Sequence, residues 1–587
     1  MKETFRLSML WLHTWAGVVL GSVLFAIFWM GSLSVFDHEI DRWMMPETRI
    51  AEPPVGFSLD TFAGRAAEIA PEASEWSLSL PRERVPYGYF SARDTSGTST
   101  HRFRIDVTAG EAIPESETLA GTGFIYPFHY MLHLQWMNLG MWIVGMAAMA
   151  MLLLLISGVV VHARLFKDFF TLRPTKKLAR STLDAHNLSG VLVLPFHVLI
   201  TFSGLVIFAF VYLPQAPDLV YGDSEGLSGQ FRVDAFGFGH YERERMGVPA
   251  RAAASLDAMA AWATSEWGGT APDDVRVYHL GDAGGYVMMR RGDQKQVGFD
   301  RDAIYLDAAT GAELDRFETA PVMRAQQFLL GLHLIQFDHW ALRWLYFLAG
   351  LSGCVLIGTG FVYWFEKRRS KHAEMSQTGL RVVEVLTIGS VTGIMVATVA
   401  FFVANRLLPS GADFAGLDRA TLETRAFWLV WVGTFAHVGL RRWRGAEMRA
   451  VWREQTWALA ALSAVAPVLN GVTTGMHPLR AAGEGQWAVL GMDALLLATA
   501  ALAVVVARRL GREAPEAAPA VPKRPSALPK PRPAARPATG SMPLPSGDGA
   551  PEATGVLGGD GAVTGDETPA VARPPVARPS PEDRAEP

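Results

Sequence analysis

The sequence predicts a polytopic α-helical membrane protein of about eight spans. A unit of span, small α+β domain and span occurs twice, followed by four extra spans and a disordered tail. Three observations carry this expectation. Half of the 587 residues are hydrophobic, and they gather into uncharged runs of the ~20 residues that a bilayer crossing requires. Short Lys/Arg clusters punctuate the ends of those runs. The stretch Leu12-His13-Thr14-Trp15-Ala16-Gly17, which opens the first run, returns as Ala185-His186-Asn187-Leu188-Ser189-Gly190, and in both a second glycine, Gly31 or Gly204, follows the histidine by 18 positions.

Taken in order, the first span occupies residues 1–36, with Lys2 and Arg6 preceding its apolar run from about Leu7 to Phe36. That run is too long for a signal-peptide core and has no A-x-A exit, so it is retained. Residues 37–126 are mixed polar sequence with strand-like pieces at 76–80 and 101–107, the first small domain. A second span, 127–162, exits into the basic loop 163–185, which holds Arg164, Lys167, Arg173, Lys176, Lys177 and Arg180. The third span, 186–213, leads to a second polar domain, 214–322, and the fourth, 323–366, ends in Lys367-Arg368-Arg369. Four additional spans fill 367–510, with Arg441-Arg442-Trp443-Arg444 and Arg508-Arg509 at their ends. The positive-inside rule puts these basic ends in the cytoplasm and both polar domains on the opposite side. Residues 511–587 are rich in Pro, Ala and Gly and nearly devoid of large apolar side chains, which predicts a disordered cytoplasmic tail.

The polar domains repeat as well. Leu59-Asp60 and Leu256-Asp257 each open a short helical pattern, and Asp106-Val-Thr-Ala-Gly110 matches Asp307-Ala-Ala-Thr-Gly311, an Asp-x-x-x-Gly turn after a strand. Two units of the same topology are related by a pseudo-twofold axis along the membrane normal. Several chemistries are excluded. The net charge of −4, with its basic residues confined to span ends, offers no nucleic-acid surface. Cys354 is the one cysteine, so disulfides and iron–sulfur clusters are absent. No Gly-rich dinucleotide fingerprint occurs in a cytoplasmic loop, and His-Glu-x-x-His is absent.

The His13…Gly17 opening, the Leu132-His133 and Leu332-His333 starts, the Asp-x-x-x-Gly turns and the glycine-capped span ends Ser157-Gly158 and Thr359-Gly360 resemble the PepSY-associated transmembrane family, over about residues 7–370. That family includes iron-regulated inner-membrane proteins and haem-containing ferrisiderophore reductases. The resemblance implies two PepSY-like domains facing the periplasm from a bacterial inner membrane, and a ferric siderophore as electron acceptor.

The histidines carry the chemical expectation. A polar ring in lipid is costly and has either a partner or a task, and neutral imidazole is a common axial ligand of haem iron. His13 and His186 occupy equivalent places in the repeat, about 10 Å in from Arg6 and Arg180 at ~1.5 Å per residue. They form the first expected pair of haem ligands, near the cytoplasm. His133 and His333 form the second, near the outer surface, since His133 precedes His162 by 29 residues, about 43 Å of continuous helix. His197, three turns beyond His186 on the same helix face, and His129, one turn before His133, are alternative ligands. His162 beside Arg164 reads as interfacial. Each histidine could instead bond a neighbouring carbonyl, since duplication copies structural side chains as faithfully as functional ones. The expected protein therefore binds one or two haem b groups, takes electrons from a quinol or a partner reductase, and passes them to a periplasmic ferric siderophore. The alternative is a non-enzymatic membrane protein whose PepSY-like domains bind or regulate periplasmic proteins. A transporter whose path runs through the last four spans is a third reading, but no charged residue sits mid-span there to suggest a coupling site, apart from Asp493 near a span end.

Overall fold

Backbone in lipid has no water to bond, so apolar runs become helices that satisfy their own amides. Among the described residues, six helices are long and apolar enough to cross a membrane: Thr4–Ser34, Trp136–Val161, Trp340–Arg368, Gly379–Leu407, Met448–Thr474 and Trp487–Gly511. The computed structural model describes residues 3–50, 57–162, 171–174, 177–222, 229–293, 296–299, 301–369 and 377–512. The tail expected from 511 lies, after its first two residues, outside the described residues, as does much of the basic loop 163–185.

The first unit runs α1 (Glu3–Ser34), α2 (Asp37–Met44), α3 (Leu59–Ile69), β1 (Glu75–Ser79), β2 (Gly88–Arg93), β3 (Ser99–Asp106), β4 (Glu111–Ala112), α4 (Tyr126–Met131) and α5 (Leu139–Val161). The second runs α6 (Leu178–Leu192), α7 (Leu194–Ile207), three short helices α8 (Ala209–Tyr212), α9 (Ala216–Tyr221) and α10 (Gly229–Phe236), then α11 (Leu256–Glu266), β5 (Pro272–Tyr278), β6 (Tyr286–Arg291), β7 (Ala303–Asp307), β8 (Glu313–Phe317), α12 (Pro321–Leu334) and α13 (Trp340–Arg369). After these come α14 (Gln377–Leu407), α15 (Arg419–Trp443), α16 (Met448–Thr474), α17 (Pro478–Gly483) and α18 (Trp487–Gly511). The chain is thus mostly helical, with one antiparallel sheet.

That sheet joins the two polar regions. Its eight strands run β4-β3-β2-β1-β5-β6-β7-β8, so the two halves meet where β1 pairs with β5, Trp76 opposite Val277 and Leu78 opposite Val275. Alternate residues of these strands point to one face, where Trp76, Leu78, Phe90, Val275, Val287 and Leu306 pack under α3 and α11. The two helices clasp each other at their starts. Ser58 caps α3 and Ser255 caps α11. Asp257 accepts from the Ser58 hydroxyl (2.6 Å) and the Leu59 amide (2.7 Å), while Asp60 accepts from Ser255 (2.5 Å) and Leu256 (2.6 Å). Each acidic side chain thus satisfies donors at the other helix's N-terminus, where the helix dipole also favours it. The matched turns close as the sequence suggests: Asp106 and Asp307 accept from amides two and three residues on, and Gly110 and Gly311 take the left-handed conformation that the turn requires.

Three expected spans are not single helices. The third begins at Leu178 and breaks between α6 and α7 with a bend of 65°. Pro195 in the first turn of α7 lacks an amide proton, and its ring cannot sit against the carbonyl one turn back. The second breaks after Met131, because Leu132, His133, Met137 and Asn138 all adopt left-handed conformations. The fourth breaks at Ile335, likewise left-handed. The 43 Å estimate for His133 therefore fails, since no continuous helix joins it to His162. Among the last four, α15 carries Arg419, Glu423 and Arg425 at one end and does not reach the apolarity of the six.

At the sheet end of α1 a buried ion cluster ties the layers together. Arg84, from the β1–β2 connection, reaches Glu39 (2.9 Å) and Asp37 (3.1 Å), and Arg343 of α13 reaches Glu39 (2.8 Å) and the Val35 carbonyl (2.7 Å). Burial pushes the Glu39 carboxyl up, but Arg84 and Arg343 outweigh it and hold it at about 2. Removing one partner of such a cluster strands the others, a loss of ~3–5 kcal/mol. Glu39→Ala is therefore expected to destabilise the protein by about that amount and to open the β1–β2 connection to protease. Because the folded pKa lies below the ordinary 4.5, this stabilisation is full above pH 4.5 and fades as pH falls towards 2. Thermal unfolding of wild type and variant across that window checks both statements, and an unchanged difference at pH 3 and pH 7 would contradict them.

Candidate functional site

The repeat brings histidines together in two places. His13 on α1 and His186 on α6 face each other with ring centres 6.2 Å apart. Both line a cavity of about 660 Å³ bounded by α1, α5, α6 and α13. Nδ1 of His13 donates to the Leu154 carbonyl (3.0 Å) and lies 3.1 Å from the Ser157 hydroxyl. Nδ1 of His186 donates to the Leu356 carbonyl (2.8 Å). A carbonyl can only accept, so the proton sits on Nδ1 and Nε2 keeps its lone pair.

The second pair is His129 with His333, ring centres 6.0 Å apart, and not His133 with His333. His129 donates from Nδ1 to the Ile27 carbonyl (2.9 Å), and His333 reaches the Ser203 hydroxyl (3.0 Å) and the Ile200 backbone. Helix capping explains the correction. The left-handed caps Leu132 and Ile335 end α4 and α12, so His133 falls beyond its helix while His333 stays within. His133 instead stacks on Phe124 at 4.6 Å and donates from Nε2 to the Phe124 carbonyl at 2.8 Å. The matching Leu-His-Leu triplets are one helical turn out of structural register.

Glycines make each contact possible. A Cβ on Gly158 or Gly360 would lie 3.2 Å from the ring of His13 or His186, and one on Gly31 or Gly204 would lie 2.6 or 2.8 Å from His129 or His333. All four contacts share one pattern: the accepting carbonyl (Leu154, Leu356, Ile27, Ile200) precedes the glycine by four residues. The recurring 18-residue His-to-Gly interval spans the bundle, since His13 and Gly31 belong to different pairs. The pairs are therefore about 27 Å apart along α1 at ~1.5 Å per residue, with His129 and His333 at the end that carries the sheet.

The other histidines serve differently. His197 is fully buried on α7, but its ring meets Phe28 and Phe196 (both 5.8 Å), and among the described residues no second imidazole faces it. The bend at Pro195 also removes the straight three-turn path from His186 that made it an alternative ligand. His437 pairs with Glu454 (3.1 Å) and His477 caps α17. Asp493 accepts from Trp43 Nε1 (2.7 Å), which docks α18 on α2. His162, expected at the interface, lines the His13/His186 cavity.

The donor sets fit an axially ligated macrocycle. Two nitrogens held about 2 Å from an iron, each with its ring centre about 1.2 Å behind, put ring centres about 6.4 Å apart, close to both observed separations. A bare metal ion takes three or four protein ligands, and among the described residues no group of three or more His, Cys, Asp or Glu could hold one. Two facing imidazoles, each with one nitrogen lone pair left over, are the donor set that axial ligation of a haem iron uses.

Comparison with known proteins agrees with the architecture. A family model described as "PepSY-associated TM region" matches residues 10–367, which include both histidine pairs. An uncharacterized protein of Pseudomonas aeruginosa is 26% identical over 287 residues, covering 46% of this chain and 68% of the relative.

The glycine contacts make a graded prediction. Gly31→Ala and Gly204→Ala should displace their histidines and cost about 1–3 kcal/mol as overpacking, with Gly158→Ala and Gly360→Ala milder. Thermal unfolding of the four variants gives the order, and equal effects at all four would refute it.

Proposed function

Because the chain belongs to the PepSY-associated transmembrane family, we propose that it is a b-type haem protein of a bacterial inner membrane that passes electrons outward to a periplasmic acceptor. The observation that carries this reading is the arrangement of His13 opposite His186 and His129 opposite His333, each ring bonded through Nδ1 so that Nε2 keeps its lone pair. Haem iron bound between such nitrogens supplies one-electron exchange between ferric and ferrous states. The chain's part is to fix both rings, keep Nε2 unprotonated by bonding Nδ1, and exclude water with the apolar walls.

With α15 and the bent α6–α7 pair counted as crossings, eight helices span the membrane, the basic ends at Arg6, Lys367 and Arg368 face the cytoplasm, and the sheet lies in the periplasm. The inner pair then receives electrons and the outer pair delivers them below the sheet. Ferric siderophore is the proposed acceptor, since a bulky chelate can meet the outer site without entering lipid and ferrous iron leaves such chelates readily. The donor is external, a hydroquinone or a partner reductase, because the chain carries no nucleotide-binding fingerprint.

Purified protein should show a reduced b-type spectrum with two haems per chain. His13→Ala and His186→Ala should each lose the same haem, His129→Ala and His333→Ala the other, and His133→Ala neither. Haem quantification with redox titration of the five variants is the measurement. A protein that stays colourless after addition of haem would sink the reading, and loss of a haem in His133→Ala alone would sink the pairing.

A further inference from the structure

The cavity between His13 and His186 is apolar along most of its wall but not at its basic end. One turn beyond Gly158, which contacts His13, lies His162, and one turn beyond Gly360, which contacts His186, lies Trp364. The two positions are equivalent in the repeat, and both side chains line the cavity. Both also carry a buried ring nitrogen without a hydrogen-bond partner, Nε2 of His162 and Nε1 of Trp364. An unbonded buried N–H costs about 1–3 kcal/mol, and here it occurs at two symmetric positions of one cavity. Arg6 and Arg368 line the same end, and the Arg368 guanidinium lies 4.2 Å over the Trp364 ring. Donors and positive charge at one end of an apolar cavity call for a ligand with an apolar body and acidic groups on one edge.

We propose that this end is a carboxylate clamp, in which His162 and Trp364, backed by Arg6 and Arg368, hold the two propionate carboxylates of a haem whose axial nitrogens come from His13 and His186. The inference rests on the haem reading above and adds the orientation of the group and the residues that set it. Trp364 Nε1 can only donate, and His162 Nε2 donates in its Nε2–H tautomer, so each can offer a carboxylate the hydrogen bond that the protein itself leaves unmade. The twofold relation of the two positions suits a ligand carrying a pair of like acids. Arg6 and Arg368 offset the charge, which would otherwise be costly beside lipid. The rest of the cavity wall is apolar, with Leu155 and Ile357 among its lining residues, and suits the apolar body of such a ligand.

The test uses the full-length chain carrying His333→Ala, so that only the inner site loads, stripped of haem and titrated with haem b or with haem dimethyl ester, in which both acids are blocked. The clamp requires the free acid to bind at least tenfold more tightly than the ester, about the worth of one charge-assisted hydrogen bond. His162→Leu and Trp364→Phe should each reduce that preference about tenfold while leaving ester affinity and the low-spin bis-histidine spectrum unchanged. Equal binding of acid and ester, with the bis-histidine spectrum present, would overturn the clamp and leave the haem reading standing. Absence of a low-spin haem spectrum with either form would overturn the haem reading, and the clamp with it. The acid-against-ester comparison needs no further substitution, so a variant that fails to fold does not decide the outcome.

Discussion

The structure depends on how an imidazole can be held inside lipid with one nitrogen satisfied and the other left free. A helix carbonyl already accepts from the amide four residues on but has a second lone pair to offer. The side chain that guards that lone pair belongs to the residue four positions later, because each Cβ leans back towards the helix N-terminus. Glycine at that position uncovers the carbonyl and lets a ring approach from the neighbouring helix. Leu154 with Gly158, Leu356 with Gly360, Ile27 with Gly31 and Ile200 with Gly204 all present this arrangement. The same glycines bring the helices close enough for rings on opposite units to meet, so ligand orientation and helix packing follow from one requirement.

The two units meet that requirement with different support, which accounts for the last helices. In the second unit α12 is a regular helix of 14 residues, and Gly331 lies directly against the Val297 carbonyl of the β6–β7 connection. In the first unit the equivalent helix α4 has only 6 residues and follows a π-helical turn, Ala120–Ile125. Asp41 of α2 holds that turn through the amides of Gly121 and Thr122 and the Thr122 hydroxyl. The end of α2 is in turn fixed by the C-terminal helices: Arg406 bonds the Trp43 and Met44 carbonyls, and Trp43 bonds Asp493. Phe427 of α15 packs on Phe124 and Phe128. The buried Arg406, Glu423 and Asp493 therefore have local partners that explain them, and the four added helices act as a buttress for the weaker half of the repeat.

Much of this was legible in the sequence because duplication writes the same physics twice. The segregation of apolar runs gave the membrane helices, the Asp-x-x-x-Gly turns and the Leu-Asp helix starts located matching halves of the sheet, and the His13/His186 equivalence located facing rings. What escaped was whatever depends on backbone breaks. Pro195 stands in plain view, but hydropathy alone does not turn it into a bend of 65°. No residue type announces the left-handed conformations of Leu132, His133 and Met137, which arise where a tight connection is imposed by packing on both sides. Those breaks set His129, and not His133, opposite His333. Hydrophobic pattern places a helix, but its caps decide which residue occupies its last turn.

The sheet and the spans also behave as one body at the point where it matters. Arg84 comes from a strand connection, Glu39 from α2 and Arg343 from α13, and burial of all three makes their separation costly. The β6–β7 connection presses on α12, with the Phe299 amide on the Gln327 carbonyl (3.3 Å), two turns before His333. Since β1 and β5 pair across the pseudo-twofold, the second half of the sheet cannot shift without carrying the first. Anything that docks on the sheet therefore meets the His129/His333 pair at a fixed depth and orientation. A rigid link of this kind is what the proposed electron transfer to an outside acceptor would need, since such transfer falls steeply with distance.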